Sequence, residues 1–177
     1  MTEDSLPFKV LQYCPFCGSD HFIPGNSHDK YLECGICGKR LYVNAASAVA
    51  GVIRDQEGRV LLTRRKFDPG KGMLDLPGGF VDPGETAEDA LVREIKEELN
   101  LDICSLEYIC SSPNKYLYKG LVYFTLDLGF ECSVVDFSTM MAADDVDSCL
   151  FLFPMEIKIN EVSFPSIRNI VQIALKI

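Results

Sequence analysis

The stretch that decides the fold is "GGFVDPGETAEDALVREIKEELN", residues 78–100. Its first half is punctuated by glycine and proline, as an ordered loop is. Its second half, 86–99, predicts a helix: Thr86 suits the N-cap and acids fill the first turn, matching the macrodipole. Asn100 suits the end, because asparagine tolerates the left-handed backbone there. With about 100° per residue, Ala87, Leu91, Val92, Ile95 and Leu99 fall within an arc of about 140°, the expected core face. Glu98 falls inside one edge of that arc, Glu94 just beyond it, and Glu97 on the same flank. Carboxylates at i, i+3 and i+4 repel, and a half-buried unpaired carboxylate is costly. Lys96 lies on the far side, and Arg93 alone cannot neutralise three acids. The simplest partner is a divalent cation. Oxygen ligands select Mg²⁺, Mn²⁺ or Ca²⁺ over softer metals. The glycines let the backbone come close, so a carbonyl of Gly78 or Gly79 could complete the shell.

Working outward, "NAASAVAGVIRD" (44–55) and "RVLLTRRK" (59–66) read as a strand pair with Gly58 in the turn. "ICSLEYICSS" (103–112), "LVYFTLDLGFEC" (121–132) and "CLFLF" (149–153) read as further strands. "SSPNKYLYKG" (111–120) is expected to contain a strand-to-strand loop, and "DFSTMMAADDVDS" (136–148) a second loop. "PSIRNIVQIALKI" (165–177) reads as a closing amphipathic helix with Pro165 at its first position. No internal repeat or low-complexity tract is visible.

Upstream of residue 44 the chemistry changes. Cys14 and Cys17 lie in "CPFCG", Cys34 and Cys37 in "CGICG", with sixteen residues between the pairs. This is the spacing of a structural zinc ribbon. Gly18 and Gly38 let each knuckle turn under its sulfurs. So small a segment has little core, and metal would supply most of its folding free energy. A secreted disulfide framework is the alternative. The acidic start "MTEDSLPFKV" shows no basic n-region followed by an apolar h-region, which argues against it and for the cytoplasm. Cys104, Cys110, Cys132 and Cys149 read as buried small hydrophobes, and His21 and His28 as loop residues. A net charge of −9 argues against nucleic-acid or anionic-membrane partners, and Lys30, Lys39 and Arg40 form only a thin basic patch. No run of about 18 apolar residues predicts a membrane span. The hydrophobic share of 47% suits one well-filled domain with a small appendage.

Gly79, five residues, Glu85, seven residues, Arg93-Glu94, apolar Ile95, Lys96, Glu97-Glu98, Leu99, Asn100 and apolar Leu101 form a register that resembles the Nudix box. Asn100 departs from the glycine usual there, a change that keeps the C-cap and touches no ligand. The resemblance covers residues 44–177, with 1–43 as the ribbon, and the layout is similar to zinc-ribbon Nudix hydrolases, which include NADH pyrophosphatases. It implies an α+β fold, an α/β/α sandwich with a mixed β-sheet preceded by a small N-terminal zinc ribbon. It implies Mg²⁺- or Mn²⁺-dependent hydrolysis of a nucleoside diphosphate linked to another moiety, with structural Zn²⁺ on Cys14, Cys17, Cys34 and Cys37. By resemblance Glu97 and Glu98 are metal ligands, and Glu94 is a ligand or the base. Glu85 lies near the site, paired with Arg93 to orient the helix. Gly79 and a late-loop acid, Asp145 before Asp144, join the metal shell.

The substrate is expected to be a small nucleotide derivative such as ADP-ribose, a nucleotide sugar or a dinucleotide, and a homodimer is the oligomer allowed for. NADH pyrophosphatases carry Ser-Gln-Pro-Trp-Pro-Phe-Pro after the box. Here "SSPNKYLYKG" matches only at Ser111 and Pro113, and the chain has no tryptophan. Arg64 or Arg65 could contact phosphate, though neighbouring strand residues point to opposite faces. Tyr116 and Tyr118 could stack on a base. The alternatives are a non-catalytic nucleotide sensor, NADH pyrophosphatase proper, and an isomerase on the same fold. All box acids are present, which disfavours the sensor.

Overall fold

The alternation of small and β-branched residues in "ASAVAGVI" makes one strand with two apolar faces, and the larger unit of the fold is built on both. A computed structural model describes residues 6–23 and 31–177, with the side chain of Tyr116 excepted. His28 and Lys30 lie outside the described residues. The chain divides into two compact units, residues 1–45 with 115–124, and residues 46–114 with 125–177.

The first unit holds a short helix α1 (Pro7–Val10) and strands β1 (Phe22–Ile23), β2 (Tyr31–Cys34) and β3 (Arg40–Tyr42). They form an antiparallel sheet in the order β1-β2-β3, with Leu32 opposite Leu41. Arg40 bonds Glu33 and lies over the Tyr31 ring, which contacts Tyr42. Cys14 and Cys34 are buried, whereas Tyr13, Phe16 and Ile36 are exposed. Apolar burial is therefore scant, and Cys14 and Cys34 occupy the interior while Cys17 and Cys37 are exposed.

The second unit contains β4 (Ala46–Ile53), β5 (Val60–Arg65), β6 (Leu74–Asp75), α2 (Ala87–Leu99), most of β7 (Ile103–Tyr118) and β8 (Leu121–Val134), β9 (Val146–Leu152) and α3 (Pro165–Leu175). β4 runs parallel to β8, from Ala46 beside Thr125 to Ile53 beside Cys132, in a sheet ordered β4-β8-β7. β5 pairs antiparallel with β6 and β9. Strand direction is thus mixed. Along β4, Val49 and Ile53 join Leu91, Ile95, Leu99 and Phe130 in one core, while Ala50 and Val52 join Leu62, Ile167, Ile170 and Val171 in the other. α2 and α3 therefore cover opposite faces, giving an α/β/α sandwich. None of the described helices is long and apolar enough to cross a membrane.

Four expectations need correction. β4 and β5 do not pair as a ladder: they lie in different sheets, joined at the turn by the isolated Arg54–Val60 bridge. Val92 is exposed and Ala90 is buried, so the covered arc of α2 is turned toward Glu94 and Glu98. β7 runs on through Pro113 to Tyr118, and the turn is only Lys119-Gly120, both at positive φ (47° and 84°). Two such residues match the twist of a tight hairpin, and Pro113 is tolerated because β7 is the edge strand of its sheet. Cys132 is buried as expected, Cys110 and Cys149 are partly so, but Cys104 is exposed on that edge strand.

Gly51 lets α2 approach: a Cβ there would sit 2.9 Å from Ile95 Cδ1 and 3.2 Å from Cys132 Sγ, both fully or nearly buried. Gly51→Val should cost about 1–3 kcal/mol by overpacking, read as a lower midpoint of chemical denaturation.

Candidate active site

Loop 77–81 is stitched to β4. Gly51 N–H donates to Pro77 O (2.8 Å), Val49 N–H to Gly79 O (2.8 Å) and Val81 N–H to Ser47 O (3.0 Å). At Gly78, φ is 141° and a Cβ would lie 2.1 Å from Val49 O, so only glycine fits. A Cβ on Gly79 would lie 2.5 Å from the Glu94 carboxylate, which therefore rests directly on the Gly79 backbone. The carbonyl of Gly79, expected in the metal shell, already accepts one strand hydrogen bond and keeps one lone pair.

Arg93 is the organiser of the flank. Its Nε and Nη2 grip both carboxylate oxygens of Glu85 at 2.9 Å each. Its Nη1 reaches Glu94 at 2.8 Å and Glu97 at 3.3 Å, and Nη2 also holds Phe80 O at 3.0 Å. The guanidinium holds Glu85 below the usual carboxylate range. Glu94 is pushed the other way by burial, with Glu97 and Asp144 adding to the rise against the Arg93 pairing.

Glu98 has no such partner. It is only 8% exposed, and its Oε2 accepts the Gly78 N–H at 3.0 Å. Among the described residues its carboxylate makes no ion pair. Burial pushes it up to about 8, with the charges of Glu94, Asp75 and Asp145 contributing. A buried acid flanked by acids, with one backbone donor and no cation, fits a divalent ion of the hard-oxygen class.

The late loop is brought to this point by the end of α2. Met141 N–H donates to Leu99 O (3.0 Å), Ala143 N–H to Glu98 O (2.8 Å), and Asn100 Nδ2 to Thr139 O (3.0 Å). Asn100 sits at φ 53°, in the left-handed cap expected of it. Asp145 and Asp144 consequently lie close enough for their charges to act on Glu98 and Glu94 respectively. Asp75 was not anticipated. It is buried on β6 beside Arg65 (2.8 Å), and burial raises it. The only trace of it in sequence is an acid within the apolar "MLDLP".

The arginines of β5 divide as strand geometry requires. Arg65 is consumed by Asp75, Pro69 O (2.7 Å) and the Phe164 ring. Arg64 points elsewhere and donates to Gly72 O (2.9 Å), its one side-chain hydrogen bond among the described residues. Tyr118 belongs to the unit that contains the ribbon, contacts Tyr123 and lies under Lys119. The side chain of Tyr116 lies outside what the structure describes.

In the first unit the sulfurs of Cys14, Cys17, Cys34 and Cys37 all lie within 4.8 Å of one another. Cys14–Cys37 at 3.7 Å and Cys17–Cys34 at 3.6 Å are far beyond a disulfide bond. Gly18 and Gly38 take positive φ (76° and 66°), and their N–H groups bond Cys14 O and Cys34 O, closing both knuckles. The backbone at Cys37 and Ile36 draws Cys34 down, while its partner Cys17 is pushed up by burial and by the neighbouring sulfurs, so a proton is shared unevenly between them in the absence of a metal. Four converging thiols without disulfides fit a tetrahedral ion. His21 is not among these ligands; its ring packs over Gly35.

A family model described as NUDIX domain matches residues 45–136, just over half of the chain. The chain belongs to the Nudix family. An ADP-ribose pyrophosphatase of Methanocaldococcus jannaschii is 50% identical over 78 residues, which are 43% of this chain and 46% of that protein. An NAD-capped RNA hydrolase NudC of Photorhabdus laumondii is 33% identical over 125 residues, 68% of this chain and 45% of that protein. The chain thus spans about half the length of the curated relatives it matches. A crystal structure of a Nudix hydrolase from Nitrosomonas europaea shares the fold, with a TM-score of 0.69 at 22% identity over 94% of this chain and 91% of that one. The Nudix match includes loop 77–81 and all of α2, the elements that bring Glu94 and Glu98 together.

Glu98 couples folding to pH. Without the divalent ion the folded chain keeps its proton up to about pH 8, whereas an ordinary glutamate releases it near 4.5. Stability should therefore fall as the pH rises between those values, by a few kcal/mol at most. Glu98→Gln should flatten that fall and stabilise the protein at pH 8, measured by urea denaturation in buffers free of Mg²⁺ and Mn²⁺.

Proposed function

We propose that this chain hydrolyses the pyrophosphate linkage of a nucleoside diphosphate joined to a second moiety, with an ADP-linked compound such as ADP-ribose as its substrate. The observation that carries this reading is the buried Glu98, bonded to the Gly78 N–H, within reach of the charges of Glu94, Asp75 and Asp145, and without an ion-pair partner among the described residues. An acid placed there is uncompensated on its own and suits a divalent ion. A bound Mg²⁺ or Mn²⁺ supplies charge neutralisation for the phosphates and acidifies a water. Glu97, Glu98, Asp145 and the Gly79 carbonyl would hold it. Glu94, raised by burial and aimed by Arg93 Nη1, would take the proton of the attacking water. Glu85 and Phe80 O fix Arg93 from the other side, so the base is oriented before substrate arrives. Arg64 would meet a phosphate oxygen through guanidinium donors other than the one that bonds Gly72 O.

The choice of ADP-ribose over other linked nucleotides follows the activity that names the relative 50% identical over 78 residues. A second reading, a dinucleotide such as NADH or an NAD cap, is favoured by the relative at 33% identity. Against it stands the weak match of "SSPNKYLYKG" to the NADH-enzyme motif. That segment forms the end of β7 and a two-residue turn. The thiols of the ribbon suit a reducing compartment, which we take to be the cytoplasm.

Hydrolysis is tested by offering ADP-ribose, NADH, nucleotide sugars and dinucleoside polyphosphates under one Mn²⁺ concentration and identifying products. ADP-ribose should give AMP and ribose 5-phosphate with the highest kcat/KM. Glu94→Gln should lower that value roughly 10²–10⁴-fold, the usual worth of a positioned general base. Full turnover in the Glu98→Gln variant, or without any divalent ion, would overturn the reading, and NADH clearly ahead would overturn the substrate choice.

Cys14, Cys17, Cys34 and Cys37 are proposed to bind one structural Zn²⁺. Elemental analysis should find about one zinc per chain, lost in Cys34→Ser together with the chemical-shift dispersion of the first unit. Protein free of zinc with the ribbon still folded would end this assignment.

A further inference from the structure

Lys66 follows the last residue of β5 and lies against the acidic late loop. Its backbone N–H donates to Asp145 O at 3.0 Å, and its ammonium Nζ donates to Asp144 O at 3.0 Å. Two consecutive carbonyls of the turn are therefore held by one residue. On the other side the same loop hangs from the last turn of α2, through Ala143 N–H to Glu98 O and Met141 N–H to Leu99 O. The turn itself is closed by Val146 N–H to Ala143 O at 3.0 Å. Asp144 sits at φ 49°, a left-handed conformation that costs a non-glycine residue free energy and persists only where its surroundings hold it. Among the described residues, Lys66 is the one cationic side chain hydrogen-bonded to this turn.

We infer that Lys66 is a positioning residue for the divalent-ion site: by clamping the Asp144 and Asp145 carbonyls it holds the Asp145 carboxylate toward Glu98. The inference rests on the reading of Asp145 as a ligand. It differs from a simple charge effect in sign. An ammonium beside an acidic cluster repels an incoming cation, so deleting it for electrostatic reasons alone should tighten metal binding. If Lys66 works by positioning, deleting it loosens the turn and weakens metal binding, as loss of an outer supporting contact does. The ammonium bonds a backbone carbonyl of the turn, so its influence on the site would pass through the turn.

The test is Mn²⁺ affinity, measured by electron paramagnetic resonance on the full chain with its zinc retained and no substrate present. Lys66→Met should weaken Mn²⁺ binding roughly tenfold. Lys66→Arg, which can still reach Asp144 O, should recover most of the loss, and Lys66→Gln, a shorter neutral donor, less of it. Asp145→Asn should weaken binding at least as much, and adding Lys66→Met to it should have almost no further effect, because the clamp has nothing left to position. Unchanged or tighter binding in Lys66→Met, with Asp145→Asn still weakened, overturns the clamp and leaves the site intact. Additive losses in the double variant also overturn it. Unchanged binding in Asp145→Asn removes Asp145 from the site and the clamp with it.

Discussion

The rest of the site depends on one constraint, a carboxylate placed inside the apolar arc of a helix. Glu98 shares its face of α2 with Leu91, Ile95 and Leu99, and it is nearly as buried as they are. A carboxylate in such a position must be neutral, paired or coordinated. Among the described residues, protein donors meet the demand only in part, through one N–H from Gly78. The unmet remainder is what makes the position useful. A surface glutamate would bind a cation weakly, because water screens it. One held in a poorly solvated notch, with further acids beside it, attracts a divalent ion far more strongly.

Several sequence features make sense only as ways of permitting that notch. Gly78 has to be glycine because its backbone is pressed against Val49 O, and Gly79 has to be small because the Glu94 carboxylate occupies the space a side chain would fill. Gly51 lets α2 settle on β4 on the same side. Arg93 removes the repulsion that three neighbouring acids would otherwise impose, by spreading over Glu85, Glu94 and Glu97. It does not reach Glu98. The division leaves Glu98 as the buried acid that no cationic side chain compensates among the described residues.

The ribbon solves a different problem with the same kind of device. Its sheet of short strands buries little apolar surface and leaves Tyr13, Phe16 and Ile36 in solvent. Four converging sulfurs stand where a hydrophobic core would. Both units therefore contain groups whose convergence is unfavourable without a cation, hard oxygens in one and soft sulfurs in the other. The choice of ligand atom matches each to a different metal class.

Much of this was legible in the residues. The register from Gly79 to Leu101, the caps at Thr86 and Asn100 and the two cysteine pairs are local patterns, and local patterns follow from spacing and φ preferences alone. The helical wheel placed the glutamates beside the apolar face, but it put Val92 inside the covered arc and did not include Ala90. A wheel knows which residues are apolar, not how close the neighbouring strand will come. Gly51 lets β4 approach Leu91 and Ile95, Ala90 joins the same buried core, and the larger Val92 is left exposed. The hairpin of β7 and β8 was underestimated because Pro113 and the polar residues after it read as a break, whereas an edge strand tolerates both. Asp75, the split between Arg64 and Arg65, and the hold of Lys66 on the late loop depend on residues far apart in sequence meeting at one point. Those contacts exist only once β5, β6 and the end of α2 are packed, so tertiary structure alone decided them.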